Sequence, residues 1–420
     1  MLEKIELYRN IMVRQYKKGE INLNNKKYIE TFCKLFFFWY VFFITTTIST
    51  AGRSIALGGV SLFVIYEMLK ERKRIQLNAL LVEKNYLIIY GLFFGSLILA
   101  SFSSETKTAT SNTLKFFYWT LPFWVVYFSS FFFSVHKLWS TAMMLSVLTI
   151  GAFAINQFIT TPLGTRLSAP LLNANSLACL LELCLPFVAL YMIRCWNKEY
   201  TCSKMELYMN AAALGISLFV LLFTQSRGGI AGTCIGFVVL VVVRLWLKYG
   251  RNKLCKNKIL IVLAGLILIC GVVFSGFVAF HRSYDSERLL MIESSYHMWE
   301  DHKAFGVGFD NWRNEYKNYI SPLAKEPNAR MPHNNIAFFF STTGLVGGFG
   351  YCVYVLGTAC FLIRKIKDSP TNIYCAAALW AFVAIVIHGM VDAGMTDRFS
   401  MQVLSSCFGV AFCPDTTAER

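Results

Sequence analysis

Runs of about 20 apolar residues, the length one helix needs to cross the hydrocarbon core of a bilayer, recur from residue 33 to residue 413. Spans are predicted over 33–50, 55–69, 86–103, 116–133, 138–159, 177–193, 208–224, 229–247, 259–280, 340–363, 373–391 and 399–413, the second and last being short. Composition agrees, with 56% of the 420 residues hydrophobic and only 15% charged, against about a quarter charged in soluble domains. The expected fold is therefore all-α, a polytopic membrane helix bundle of about 12 transmembrane helices. No internal repeat, low-complexity segment or second soluble domain is visible.

The formal net charge of +16 would suit nucleic acid only as a basic face on a soluble fold. Here Lys and Arg gather between the apolar runs, as in LKERKR (69–74), KYGRNKLCKNK (248–258) and RKIK (364–367). That pattern reports membrane topology, so no nucleic-acid partner is expected. Placing these clusters in the cytoplasm puts both termini there. The chain then divides into a basic N-terminal segment (1–32), helices one to nine (33–280), a long outer loop (281–335), helices ten to twelve (336–413) and a tail (414–420). Residues 1–32 show no signal-peptide core; an amphipathic anchor and a disordered arm both remain open for them. None of the 13 cysteines forms a C-x-x-C pair or falls in an outer segment. Neither metal-ligand spacing nor structural disulfides are expected.

Ionisable residues collect on the outer side. They are Arg53, Arg166 and Arg227, then Arg282, Arg288, Arg313 and Arg330 with His281, His297, His302 and His333, and finally Asp392, Asp397 and Arg398. The outer loop is long for a plain connection, and RLLMIESSYHMWEDH (288–302) predicts helices over the bundle, headed by Arg288, with GVGFDNW (306–312) as a turn. Arg227 lies in the tight connection LLFTQSRGGIAGT (221–233). Its two glycines are expected to let the chain turn sharply and open the next helix, whose N-terminus favours anions. A guanidinium there is either a phosphate site or an arginine snorkelling to headgroups.

His333 stands in ARMPHNNIAFFFSTTGLVGG (329–348), where Asn334 or Asn335 can cap the helix that follows. A histidine held at a membrane boundary near arginines is either a base working near neutral pH or a hydrogen-bonded helix-start residue. In RLSAPLLNANSLACLLE (166–182), Asn175 reads as an N-cap, and Glu182 is a costly intramembrane acid, paired or functional. His388 and Asp392 lie one helical turn apart and can orient each other or a catalytic group. The outer segments hold no D-x-D, H-E-x-x-H or carboxylate cluster, so no metal is expected. A diphosphate would be neutralised by arginines, which bind it bidentately.

In their order and sidedness, TQSRGG (224–229), a long outer loop before a late span, and PHNNIAFFFSTTGLVG (332–347) resemble the O-antigen ligase and polymerase superfamily of bacterial envelope proteins. RLSAPLLNANSLA (166–178) and IHGMVD (387–392) support it; the resemblance covers about residues 160–395, and residues 1–150 match only in hydropathy. It implies a glycosyltransferase on the periplasmic face of the bacterial inner membrane. Such an enzyme moves a glycan from undecaprenyl diphosphate to a sugar hydroxyl, which in a ligase belongs to lipid A-core. The implied chemistry is inverting, metal-independent and free of cofactors. By position in the motifs, the resemblance implies Arg227 and Arg288 on the diphosphate and His333 as the base. Arg166, Asn334 and Arg282 are further substrate-binding candidates, with Asn334 able to orient the histidine.

A polymerase would share the fold and donor and differ in acceptor. Some polymerases carry arginine-x10-glycine motifs in two outer loops, and neither Arg166 nor any arginine of 281–335 has a glycine eleven positions on. That favours a ligase. Protein O-oligosaccharyltransferases are often longer, with an extra outer domain. A transporter or flippase suits twelve spans but would show repeats and a midplane site, whereas the polar residues here lie at one surface, Glu182 excepted. The topology predicts that, in a cysteine-free background, His333→Cys is labelled from outside by an impermeant maleimide and Lys253→Cys is not. The reverse pattern would overturn the orientation.

Overall fold

A computed structural model of the protein describes residues 28–70, 83–103, 108–254, 284–392 and 394–413. The chain runs through α1 (Tyr28–Thr46), α2 (Thr50–Lys70), α3 (Lys84–Ser103), α4 (Ala109–Tyr118), α5 (Leu121–Ser129), α6 (His136–Thr160) and α7 (Ala174–Trp196). It continues through α8 (Lys204–Phe223), α9 (Arg227–Leu254), α10 (Tyr284–Asp301), α11 (Trp312–Tyr319), α12 (Asn335–Asp368), α13 (Ile373–His388) and α14 (Arg398–Phe412). Among the described residues there is no strand, and eight helices are long and apolar enough to cross a membrane: α1–α3, α6–α9 and α12. The protein is an all-α, multi-pass membrane helix bundle.

The predicted spans differ from the helices in instructive places. The run at 116–133 is split into α4 and α5, each too short to cross a bilayer. Pro122 stands in the first turn of α5, where a residue without an N–H starts a helix but cannot continue one. The first span begins at Tyr28 rather than 33. The predicted span 259–280, Arg282, His281 and the tail 414–420 lie outside the described residues, as do residues 1–27.

Helix α13 is only 16 residues long, and it does not need to face lipid. It is buried along nearly its whole length between α7, α9 and α14. Two glycines of α9 make the approach possible. A Cβ on Gly232 would lie 2.4 Å from the Ala384 carbonyl oxygen, and one on Gly236 would lie 2.5 Å from that of Trp380. Helix α12 packs along α3 in the same way, with Gly350 against Ser96 and Gly357 against Ile89.

Hydrogen bonds sort the connections into two ends. At one end Leu167 N donates to Phe223 O at 3.0 Å, Asn335 N to Gly389 O at 2.7 Å, and Asn175 Nδ2 to Asp392 Oδ2 at 2.7 Å. At the other end Arg194 reaches Thr371 O, Arg244 reaches Pro370 O, and Lys365 pairs with Glu83. The elements expected on the outer side thus share one end of the bundle, and those in the expected cytoplasmic group share the other.

Helix α12 is broken. Gly344 adopts φ 61°, ψ −159° in its interior, which leaves backbone groups unpaired at a depth where water cannot serve them. The segment after α10 satisfies them. Leu345 N donates to Lys303 O (2.8 Å) and Val346 N to Ala304 O (3.2 Å), while Val307 N and Gly308 N donate to Ser341 O and Thr342 O (3.0 and 2.9 Å). Both strands of this exchange need glycine. A Cβ on Gly306 (φ 68°) would sit 2.4 Å from the Thr342 carbonyl carbon, and one on Gly344 would sit 2.3 Å from that of Ala304. The expected turn at GVGFDNW is thus the plug that seats the outer helices on the bundle.

Candidate functional site

His333 has a left-handed backbone, φ 51°, which costs a non-glycine residue about 1–2 kcal/mol. Its neighbours hold it there. The Asn334 side chain caps α12 by accepting the Ala337 N–H at 2.9 Å, and its Nδ2 donates to Met390 O at 2.9 Å. Together with Asn335 N to Gly389 O, these bonds stitch the start of α12 to the end of α13. The result places His333 Nδ1 2.9 Å from Asp392 Oδ1.

From that pair a chain of hydrogen bonds crosses the bundle end. Asp392 Oδ2 accepts from Asn175 Nδ2 (2.7 Å), Asn175 Oδ1 accepts from Arg166 Nη2 (2.7 Å), and Arg166 Nε donates to Thr224 O (2.8 Å). Asn175 is not the N-cap of α7. Asn173 takes that role by accepting the Asn175 N–H at 2.7 Å, which frees the Asn175 amide to join Arg166 to Asp392. The side chains of Arg166 and Asn334, both substrate-binding candidates, are engaged within the fold by these bonds.

The tight connection before α9 turns at Gln225, whose φ is 52°, and not at its glycines. Gly228 and Gly229 are helical and serve close approach instead. A Cβ on Gly228 would lie 2.4 Å from His388 Cδ2, and one on Gly229 would lie 2.8 Å from Ala178 Cβ. Arg227 opens α9, and its Nη2 donates to Asp285 Oδ1 in the first turn of α10. Helix α10 starts at Tyr284, so Arg288 stands in its second turn rather than at its head. Beside it, buried Glu287 accepts the backbone N–H groups of Lys325 (2.9 and 3.1 Å) and Glu326 (3.3 Å), which ties α10 to the loop before α12.

The charges converge on Asp392. Burial acts to raise its pKa, but the hydrogen bond and charge of His333, and then the charges of His388 and Arg288, hold it well below the usual carboxylate range. It is therefore an ionised acceptor at Nδ1 of His333. A carboxylate at that atom keeps the proton there and leaves Nε2 as the basic atom. An imidazole so oriented, on a carboxylate that also feels the charge of Arg288 and within the same bundle end as Arg227, can take a proton while the arginines hold an anion.

A second histidine–carboxylate pair lies deeper. His388 Nδ1 is 3.2 Å from both Glu182 oxygens and 3.3 Å from Cys179 Sγ, and its Nε2 is 3.2 Å from Ser226 Oγ. All four residues are buried. His388 and Asp392 do not pair side chain to side chain as their spacing allowed; each faces its own partner. The donor atoms of Cys179, Glu182 and His388 lie within 4.8 Å of one another, a grouping that could hold a metal ion. Of the other outer arginines, Arg53 donates to Gln402 at 2.9 Å, and Arg313 and Arg330 are exposed.

The parts that sequence reasoning missed are Asp285 opposite Arg227, Asn175 as a bridge, and Ser226 on His388. One signal for the deeper group was available: Asn175, Cys179 and Glu182 share a face of α7 at helical spacing.

Residues 212–352 match the family model described as O-antigen ligase. The match contains Ser226, Arg227, Asp285, Arg288, His333 and Asn334, and stops short of Arg166, Asn175 and Glu182 on one side and of His388 and Asp392 on the other. No curated protein matches the chain.

The folded pKa of Asp392 is depressed, so its contribution to stability is present above the unfolded value of about 4 and is lost as pH falls through the folded value. Asp392→Asn is expected to lower the melting temperature by a constant amount from pH 5 to 8, with the difference shrinking below about pH 4. A gap that persists unchanged into acid would show that the charge is not what Asp392 contributes.

Proposed function

We propose, from the match of residues 212–352 to the O-antigen ligase family model, that the chain is a member of the O-antigen ligase superfamily, a group of glycosyltransferase-like enzymes, and within it an O-antigen ligase. In this reading it transfers a glycan from undecaprenyl diphosphate to a lipid A-core sugar hydroxyl at the periplasmic face of the inner membrane. The observation that carries the reading is His333 with an ionised carboxylate on Nδ1, at the bundle end where Arg227 and Arg288 also stand.

The acceptor hydroxyl gives its proton to His333 Nε2 as its oxygen attacks the anomeric carbon. The bond from that carbon to the diphosphate oxygen breaks on the opposite face, so the configuration inverts. Undecaprenyl diphosphate leaves with the electron pair, and Arg227 and Arg288 stabilise the charge as it develops. Asp392 stabilises the imidazolium that forms, in the manner of a buried orienting carboxylate. Arg166 acts through Asn175 to hold Asp392. Asn334 sets the backbone of His333 rather than touching its ring. The donor set is arginines and one histidine, so the reaction is expected to proceed in the presence of EDTA.

Arg227 must release Asp285 when a diphosphate arrives. Asp285→Asn is therefore expected to tighten binding of undecaprenyl diphosphate several-fold in nanodiscs; unchanged or weaker binding would mean that the donor does not displace this carboxylate. An O-antigen polymerase, with the same donor and a glycan acceptor, is the second reading, since the family match serves both. In a strain lacking its own ligase, the wild type is expected to restore a ladder of long chains on lipid A-core, and His333→Ala is expected to leave bare core. Bare core with the wild type, while lipid-linked polymer accumulates, would sink the ligase reading for that acceptor.

A further inference from the structure

The Glu182–His388 pair is absent from the chemistry above, yet it lies where a charge is expensive. Glu182 is fully buried and His388 is 1% exposed, inside a bundle in which an apolar contact would hold α7 and α13 together at lower cost. What the pair touches shows its use. His388 Nε2 meets Ser226 Oγ at 3.2 Å, and the same oxygen accepts the Gly229 N–H at 3.4 Å. The ring lies so close to the start of α9 that a Cβ on Gly228 would be 2.4 Å from Cδ2, and one on Gly229 would be 3.5 Å from Cε1. On its other edge the ring is held by Glu182 at 3.2 Å and by Cys179 at 3.3 Å. The residue between Ser226 and Gly228 is Arg227.

We infer that His388, fixed by Glu182, is a positioning residue that aims Arg227 at the donor's diphosphate through Ser226 and the first turn of α9. The geometry has three fixed points. Gln225 turns the chain with a left-handed backbone, Thr224 O is held by Arg166, and Ser226 is hooked to the imidazole. Hooked at the residue before it, the backbone of Arg227 is held, so its side chain leaves the helix start from a fixed Cα and in a fixed Cα–Cβ direction. The two glycines are then explained without flexibility, because they let the ring seat against the backbone it positions. The inference rests on the assignment of Arg227 to the diphosphate.

The test uses the full chain in nanodiscs and two probes without glycan, undecaprenyl diphosphate and undecaprenyl monophosphate. The readout is the ratio of the two affinities together with the melting temperature. Ser226→Ala removes the hook, together with the long contact from the Gly229 N–H, and leaves Glu182–His388 in place. It is expected to reduce the preference for diphosphate about tenfold, the scale of one hydrogen bond to a charged group, with the melting temperature close to wild type. Arg227→Ala, the reference, is expected to reduce the preference further, to what Arg288 alone supports. His388→Gln and Glu182→Gln are expected to fall between the two.

If Ser226→Ala keeps the wild-type preference while Arg227→Ala lowers it, the pair is structural only and the inference fails, while the assignment of Arg227 survives. If Arg227→Ala keeps the preference, that assignment fails and takes the inference with it. If affinity for both probes and the melting temperature drop together in Ser226→Ala, general loosening replaces positioning and the inference fails. Stoichiometric zinc in the purified protein, lost in His388→Gln, would make the cluster a metal centre and equally overturn it.

Discussion

The carboxylate of Asp392 receives hydrogen bonds from two separate helix starts, His333 before α12 and Asn175 at the beginning of α7. It does so from the turn that ends α13, so three elements distant in sequence are joined at one group. A buried carboxylate without such partners would be neutralised or expelled; with them it stays ionised and fixes the ring of the histidine it faces. The arrangement at this end of the bundle follows from that charge. Arg166 is drawn in behind Asn175, Arg288 faces the same negative centre, and the stitches through Asn334 and Asn335 bring the donors within reach.

A second constraint is the backbone itself. An interrupted helix at membrane depth must have its freed N–H and C=O groups satisfied by protein. Here the break at Gly344 is filled by residues 303–308 in a reciprocal exchange of four hydrogen bonds. That exchange carries consequences for chemistry, because the plug follows directly on α10, whose second turn bears Arg288. The outer helices are therefore seated by main-chain bonding to α12, the same helix whose start carries His333. An arginine and a histidine more than forty residues apart are thus both referenced to α12.

Two histidine–carboxylate pairs lie near the end of α13, one at His388 in its last turn and one at Asp392 just beyond it. The outer pair, His333 and Asp392, stands at the end of the bundle and is partly exposed. The inner pair, His388 and Glu182, is sealed from solvent and touches the turn that carries Arg227. Burial separates the two pairs, and the proposed roles follow that difference: a part-exposed pair for the substrate, a sealed pair for positioning. The opposed carboxylate Asp285 gives Arg227 a partner in the absence of an anion, so the guanidinium is not left uncompensated in a half-buried setting.

Sequence alone determined the broad features. The period and length of the apolar runs require membrane-crossing helices, the Lys/Arg clusters order their ends, and the motif order points to a family. Arg227, Arg288 and His333 stand out in the sequence because arginine and histidine are conspicuous beside long apolar runs, and their proposed roles come from the resemblance. Asn175 was misjudged as a cap because Asn173 and Asn175 are equivalent in local propensity, and only the position of Asp392 separates them. The glycines of TQSRGG were read as a turn, since sequence cannot show that a ring from residue 388 lies against them. The split of 116–133 at Pro122 was available in the sequence but masked by hydropathy. What only the tertiary structure decided is pairing: which carboxylate faces which cation across separations from 58 to 282 residues. Hydropathy and spacing describe the energetics of a residue against its solvent. The partners of a buried charge depend on how helices pack, and helix packing is a property of the assembled bundle.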